Sequence, residues 1–141
     1  MGKINVARVI LGGIVAGIVG DLLDFPVDGV WLARMWNGQL AALDRPALSP
    51  SQAAWFLAFG IVVGLVGIWI YAAIRPRFGP GVKTAIYAGI AVWILFALLP
   101  NFAMMWVTHL FSGHLTAYTT LGALVYIPIA TICGAAVYKE G

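Results

Sequence analysis

The sequence predicts an all-α fold: a polytopic membrane protein whose four transmembrane helices form an up-down bundle of two hairpins. Three observations lead there. The 141 residues are 62% hydrophobic and 9% charged, with a mean hydropathy of +0.98. A soluble domain carries roughly 25% charged residues, so this chain lacks the polar surface to cover a water-facing exterior. Four apolar stretches, at 4–23, 53–74, 84–107 and 115–138, each reach the ~20 residues needed to cross ~30 Å of hydrocarbon. The third observation is the distribution of basic residues, which suits an even number of crossings. The whole chain, 1–141, is expected to be one domain with helices near 5–24, 50–74, 83–107 and 115–138. The connection 25–49 lies on the outer side.

The first helix follows Lys3 and Arg8, the pattern of a secretory signal. No small-residue cleavage site follows its apolar run, so we expect the segment to be retained as a span. With four crossings, one side holds Lys3, Arg8, Arg75, Arg77, Lys83 and Lys139, and the other holds Arg34 and Arg45. Basic loops stay in the cytoplasm. Both termini are therefore expected to be cytoplasmic, and the net charge of +3 is a topology signal and a contact with anionic lipid heads. Nothing points to nucleic acid.

After the first helix, Pro26 to Leu43 is expected to lie flat at the outer interface as an amphipathic segment, with Trp31 and Trp36 among the headgroups. Ser49-Pro50-Ser51-Gln52 reads as a capping box opening the second helix. Pro76 is expected to stop that helix before the basic turn "RPRFGPG". The third helix carries Pro100-Asn101 toward its outer end, and Pro128 interrupts the fourth. The two hairpins resemble each other weakly, since each opens with a helix broken by proline near its outer end. Both start from the same side, so they are not inverted repeats.

"YAAIRPRFGPGVKTA" (71–85) and "RVILGGIVAGIV" (8–19) together resemble an uncharacterised group of small bacterial four-helix integral membrane proteins. The resemblance implies the architecture and carries no activity.

Within this frame, "DLLDFPVD" (21–28) is out of place. On a straight helix Asp21, Asp24 and Asp28 fall within roughly an 80° arc, and Asp21 lies ~20 Å along the axis from Arg8. Gly13, Gly17 and Gly20 share or border that arc. Gly60 and Gly64 offer a matching face of small residues on the second helix. The acids therefore continue a packing stripe and should point into the bundle. At this height Asn101 and Thr119 complete a candidate polar pocket with Asp21, Asp24 and Asp28. Three readings stay open. The carboxylates are wetted at a helix end, with Asp24 capping the next segment; or they line an outward-facing pocket, as intramembrane acids often do; or they pair with Arg34, Arg45 or another subunit.

Other chemistry is sparse. A divalent metal held by Asp24, Asp28 and His109 is possible by ligand type, but no spacing motif joins them. His109 and His114 share one short turn, which does not suit haem, and Met104-Met105 reads as packing surface. Cys133 reads as a small packing residue. No nucleophile elbow, phosphate loop or dinucleotide fingerprint occurs, and no cofactor is expected. The expected function is a non-enzymatic accessory subunit or scaffold of the bacterial inner membrane. Its partners would be membrane lipids and copies of itself or a larger membrane complex. The alternative is a small ion, proton or metal transporter or binding protein with an outward-facing acidic pocket.

Overall fold

A computed structural model describes residues 3–140. Four helices are long and apolar enough to cross a bilayer, the architecture of a multi-pass membrane protein. They are α1 (Val6–Trp31), α3 (Pro50–Phe78), α4 (Val82–Val107) and α5 (Gly113–Val137). A short helix, α2 (Ala33–Ala42), follows α1. No strand occurs among the described residues.

Local chemistry sets the helix ends. Asn5 opens α1 by accepting the amide of Arg8 at 3.2 Å. Ser49 and Gln52 form a reciprocal capping box at α3, with bonds of 3.3 and 2.9 Å. Ser112 opens α5 by accepting from Leu115 at 3.2 Å. Between α3 and α4 the chain turns through Gly79 and Gly81, both at positive φ (+83° and +122°), which a side chain would strain. The Thr84 hydroxyl donates to the Gly79 carbonyl at 2.7 Å, and the Tyr71 hydroxyl accepts from the Gly81 amide at 3.2 Å.

The prolines act differently from the expectation. Pro26 does not end α1: the helix runs on from Asp24 as a π-helical segment, Phe25–Trp31. Proline lacks the amide that would reach back to Leu22 and crowds that carbonyl. A wider turn absorbs both defects, with Leu32 donating five residues back to Val27 at 2.8 Å. Residues 26–43 are therefore not one flat interfacial helix, and the connection begins after Trp31. Pro76 likewise lies inside α3, which continues to Phe78 and ends when Gly79 donates to Arg75. In α4, π-helical segments flank Pro100, at Ile94–Leu98 and Ala103–Val107.

In the bundle α1 packs between α3 and α5, and α4 closes the ring between them. The buried core, including Val9, Ala16, Ile68, Tyr71, Ala88 and Tyr138, lies toward the end that carries both termini. Glycine makes this possible. A Cβ on Gly13 would lie 2.6 Å from the Leu65 Cα, and one on Gly17 would lie 2.6 Å from the Ile61 Cα.

The two hairpins are related in detail. Val6, Ile10, Gly13, Ile14, Ile18, Leu22 and Leu23 recur in register as Val82, Ile86, Gly89, Ile90, Ile94, Leu98 and Leu99. Their contacts recur too. Gly13 rests on the backbone of Leu65, and Gly89 rests on that of Pro128, with the built Cβ 2.7 Å from the Pro128 Cα. Tyr71-Ala72 of α3 occupies the buried register that Gly134-Ala135 occupies in α5. Since α1 and α4 start from the same side, the correspondence runs parallel and not inverted.

Candidate functional site

The acidic segment lies at the end of the bundle opposite the termini, here termed the acidic end. Its three carboxylates share a helix, and each turns to a different neighbour. Asp21 turns toward α3 and fills the space above Gly60, where any Cβ would collide with it. Asp24 turns toward α5 and adjoins the Tyr126 hydroxyl. Asp28 adjoins Asp24 and accepts a 2.9 Å hydrogen bond from the Trp36 indole of α2. Asp24 makes no side-chain cap to the π-helical segment, so the capping role expected of it is not realised. It stays in helical backbone, and a helical residue cannot fold its carboxylate onto the amides that follow.

The wide turn after Pro26 places Asp28 and the residues that follow it. It carries Val27 and Trp31 onto α5. Val27 lies 3.0 Å from a Cβ built on Gly122, and the Trp31 and Tyr118 rings meet at 5.3 Å between centroids with their planes tilted by 51°. Beyond Trp31, α2 folds back over the same hairpin. Trp36 meets Phe111 edge-on at 5.2 Å, and Gln39 accepts the Ser112 amide at 3.1 Å.

Asn101 and Thr119 belong to a second polar set between α4 and α5. The Asn101 amide donates to the hydroxyls of Thr119 and Thr120 at 3.3 and 3.0 Å. The Trp93 indole donates to the Thr120 carbonyl at 2.8 Å. Thr119 in turn donates to the Leu115 carbonyl at 2.9 Å. These groups satisfy one another within the α4–α5 hairpin.

The glycines divide as well. Gly13, Gly17 and Gly64 meet at the α1–α3 crossing, where a Cβ on Gly64 would strike the Gly13 carbonyl and the Gly17 backbone. Gly20 faces α5 instead, in ordinary contact with Ala130 at 3.6 Å. Gly60 provides the space that Asp21 occupies.

Among the described residues, no three of His, Cys, Asp and Glu gather around a point that would hold a metal ion. Asp24, Asp28 and His109 are not brought together as ligands. His109 sits in the α4–α5 turn at φ +53°, lining a shallow depression with Gln39, Leu43 and Phe111. At the opposite end Arg75 lies 3.6 Å from Glu140, with its guanidinium 5.5 Å from the Tyr138 ring centre.

Trp93 and Tyr126 are partners that the sequence did not single out, and Trp36, expected among the headgroups, is instead the donor to Asp28. Their types gave a faint signal, because tryptophan and tyrosine below the headgroups bring a polar atom that must be satisfied.

The part of α3 at the acidic end stands clear of the bundle. From Pro50 to Phe59 every residue is exposed, whichever side of the helix it occupies. In the repeat register Gln52, Ala53, Phe56 and Leu57 correspond to Leu115, Thr116, Thr119 and Thr120. Phe56 and Leu57 are 59% and 54% exposed, whereas Thr119 and Thr120 are 5% and 4%. Because the end of α1 leans onto α5, a cleft of about 400 Å³ opens sideways between α1 and α3. It is lined by Ile18, Asp21, Leu22, Leu57, Ala58 and Ile61. Compared with protein families, with curated proteins and with solved structures, the chain matches none.

Proposed function

We propose that this chain is a non-enzymatic integral membrane subunit or scaffold that packs against partner membrane proteins. The observation that carries this reading is the half of α3 that stands clear of the bundle on every side, where the corresponding half of α5 buries one face through Leu115, Thr116, Thr119 and Thr120. The polar pairs at the acidic end work as ties between elements, which suits a structural part. In this reading the protein resides in a bacterial inner membrane with both termini in the cytoplasm, supported by the six basic residues at that end. Gentle extraction followed by native mass determination tests it. The expected result is an assembly of several copies or of several proteins. A monodisperse monomer of 15.0 kDa would overturn it.

A second reading takes the Asp24, Asp28 and Tyr126 group as the entry of an ion or proton path. Liposome flux assays test this directly. Cation flux abolished by Asp24→Asn would favour it over the subunit reading.

A further inference from the structure

We propose that the cleft between α1 and α3 receives one transmembrane helix of a different membrane protein, and that this helix presents a lysine or arginine side chain to Asp21. The inference rests on the subunit reading and names the partner's chemistry.

Geometry sets the shape of the occupant. At the basic end four helices surround the core. At the acidic end, α5 is covered by the end of α1 and by α4, and α2 packs on the turn that precedes it, while Pro50 to Phe59 of α3 are all exposed. The space on the α1-facing side of α3 is bounded by two helices. Leu57, Ala58 and Ile61 form one wall, and Ile18 and Leu22 form the other. A third helix is the element that fills a groove between two helices.

Charge sets the chemistry. Acyl chains solvate Phe56 and Leu57 at no cost, so exposed apolar surface alone requires no partner in a membrane. Asp21 is different. Its position beside Gly60 lies about 8 Å below Trp55 along the α3 axis, and Trp55 suits the headgroup boundary. No side-chain hydrogen bond or ion pair to Asp21 occurs among the described residues; the ion pair formed is Arg75–Glu140 at the far end. A carboxylate at this depth is costly without a partner, and the other five groups lining its cleft are hydrocarbon.

The same reasoning separates the occupant from a second copy. Six basic residues of this chain sit at the end with the termini. The remaining two, Arg34 and Arg45, lie in α2 and the following loop, beyond the spans. None lies on a transmembrane helix near the height of Asp21. A second copy brings only apolar spans or a second carboxylate to the cleft. A helix from another protein with a basic residue roughly a third of the way into the membrane brings the missing charge.

The test uses the full chain in phosphatidylcholine vesicles with two synthetic transmembrane helices. Both are built of leucine and alanine, and they differ at one position a third of the way in, lysine in one and leucine in the other. Association is read by energy transfer from a donor on the chain. The lysine helix should associate about tenfold more tightly than the leucine helix, the size of a modest intramembrane polar contact. Asp21→Asn should abolish that preference, and Asp44→Asn, in the exposed loop, should leave it intact. As a check that does not depend on the Asp21 variant, a cysteine at Leu57 should crosslink to the lysine helix. Equal binding of both helices, binding of neither, or a preference that survives Asp21→Asn would each overturn the proposal. So would self-association that blocks the cleft. An assembly seen by native mass together with no lysine preference removes this inference and leaves the subunit reading. A native monomer removes the subunit reading itself.

Discussion

Gly64 of α3 lies directly on the backbone of Gly17 of α1, so close that neither residue has space for a methyl group. Close backbone approach through small residues is a main source of helix association in membranes, where hydrophobic burial adds little. Gly17→Leu should therefore push α1 and α3 apart and cost about 1–3 kcal/mol, the usual penalty for overpacking. Gly20→Ala is the matched control, since its nearest neighbour is an ordinary contact at 3.6 Å. Thermal unfolding in detergent should show a clear loss for Gly17→Leu and almost none for Gly20→Ala. Equal melting of Gly17→Leu and the parent would refute this account.

The Trp36–Asp28 hydrogen bond fastens α2 to the end of α1. Trp36→Phe keeps most of the ring and its contact with Phe111 while removing the donor. A typical intramolecular hydrogen bond contributes about 0.5–1.5 kcal/mol net, so α2 should loosen. Amide exchange is the direct measure: residues 33–42 should exchange faster in Trp36→Phe, while the core around Ile68 should not change. Unchanged protection across α2 would show that packing alone holds it.

The spans were legible in the sequence because hydrocarbon imposes a length and a composition, and the capping box at Ser49–Gln52 is a local pattern. The course of the chain after Asp24 was not legible. Proline forbids one hydrogen bond but does not dictate what replaces it, and a π-helical segment keeps α1 going through Pro26. The partners of the acids were hidden for another reason. Trp36 and Tyr126 come from other elements, and helical spacing within α1 says nothing about them. The bare half of α3 was also invisible. Phe56 and Leu57 face lipid or partner, Leu115 faces protein, and all three are equally apolar to a hydropathy count.

The proposed orientation rests on the basic residues alone and needs its own measurement. A cysteine introduced at Arg45, in a Cys133→Ser background, should react with an impermeant reagent added to intact cells. One at Phe78, beside Arg77 at the opposite end, should react only after the membrane is opened. Both positions are exposed, so failure to label reflects sidedness. Reaction of both from the same side would overturn the topology.

Asp24 and Tyr126 give the final prediction, because their pairing distinguishes a structural tie from an open pocket. They come from α1 and α5 and meet where the wide turn after Pro26 brings these helices together. If the contact is a tie, the two side chains are energetically coupled. Asp24→Asn and Tyr126→Phe each remove one partner, and the double variant should lose less than the sum of the two. Polar pairs between membrane helices average about 0.6 kcal/mol in such cycles, with an upper range near 1.7. A coupling within that range, with no stabilisation by added mono- or divalent cations, is the expected outcome. The Asn101→Ala variant should add independently, since Asn101 bonds to Thr119 and Thr120 in the other polar set and sites without shared partners are additive. Zero coupling between Asp24 and Tyr126, together with cation protection that Asp24→Asn abolishes, would instead make Asp24 the ligand of an ion site.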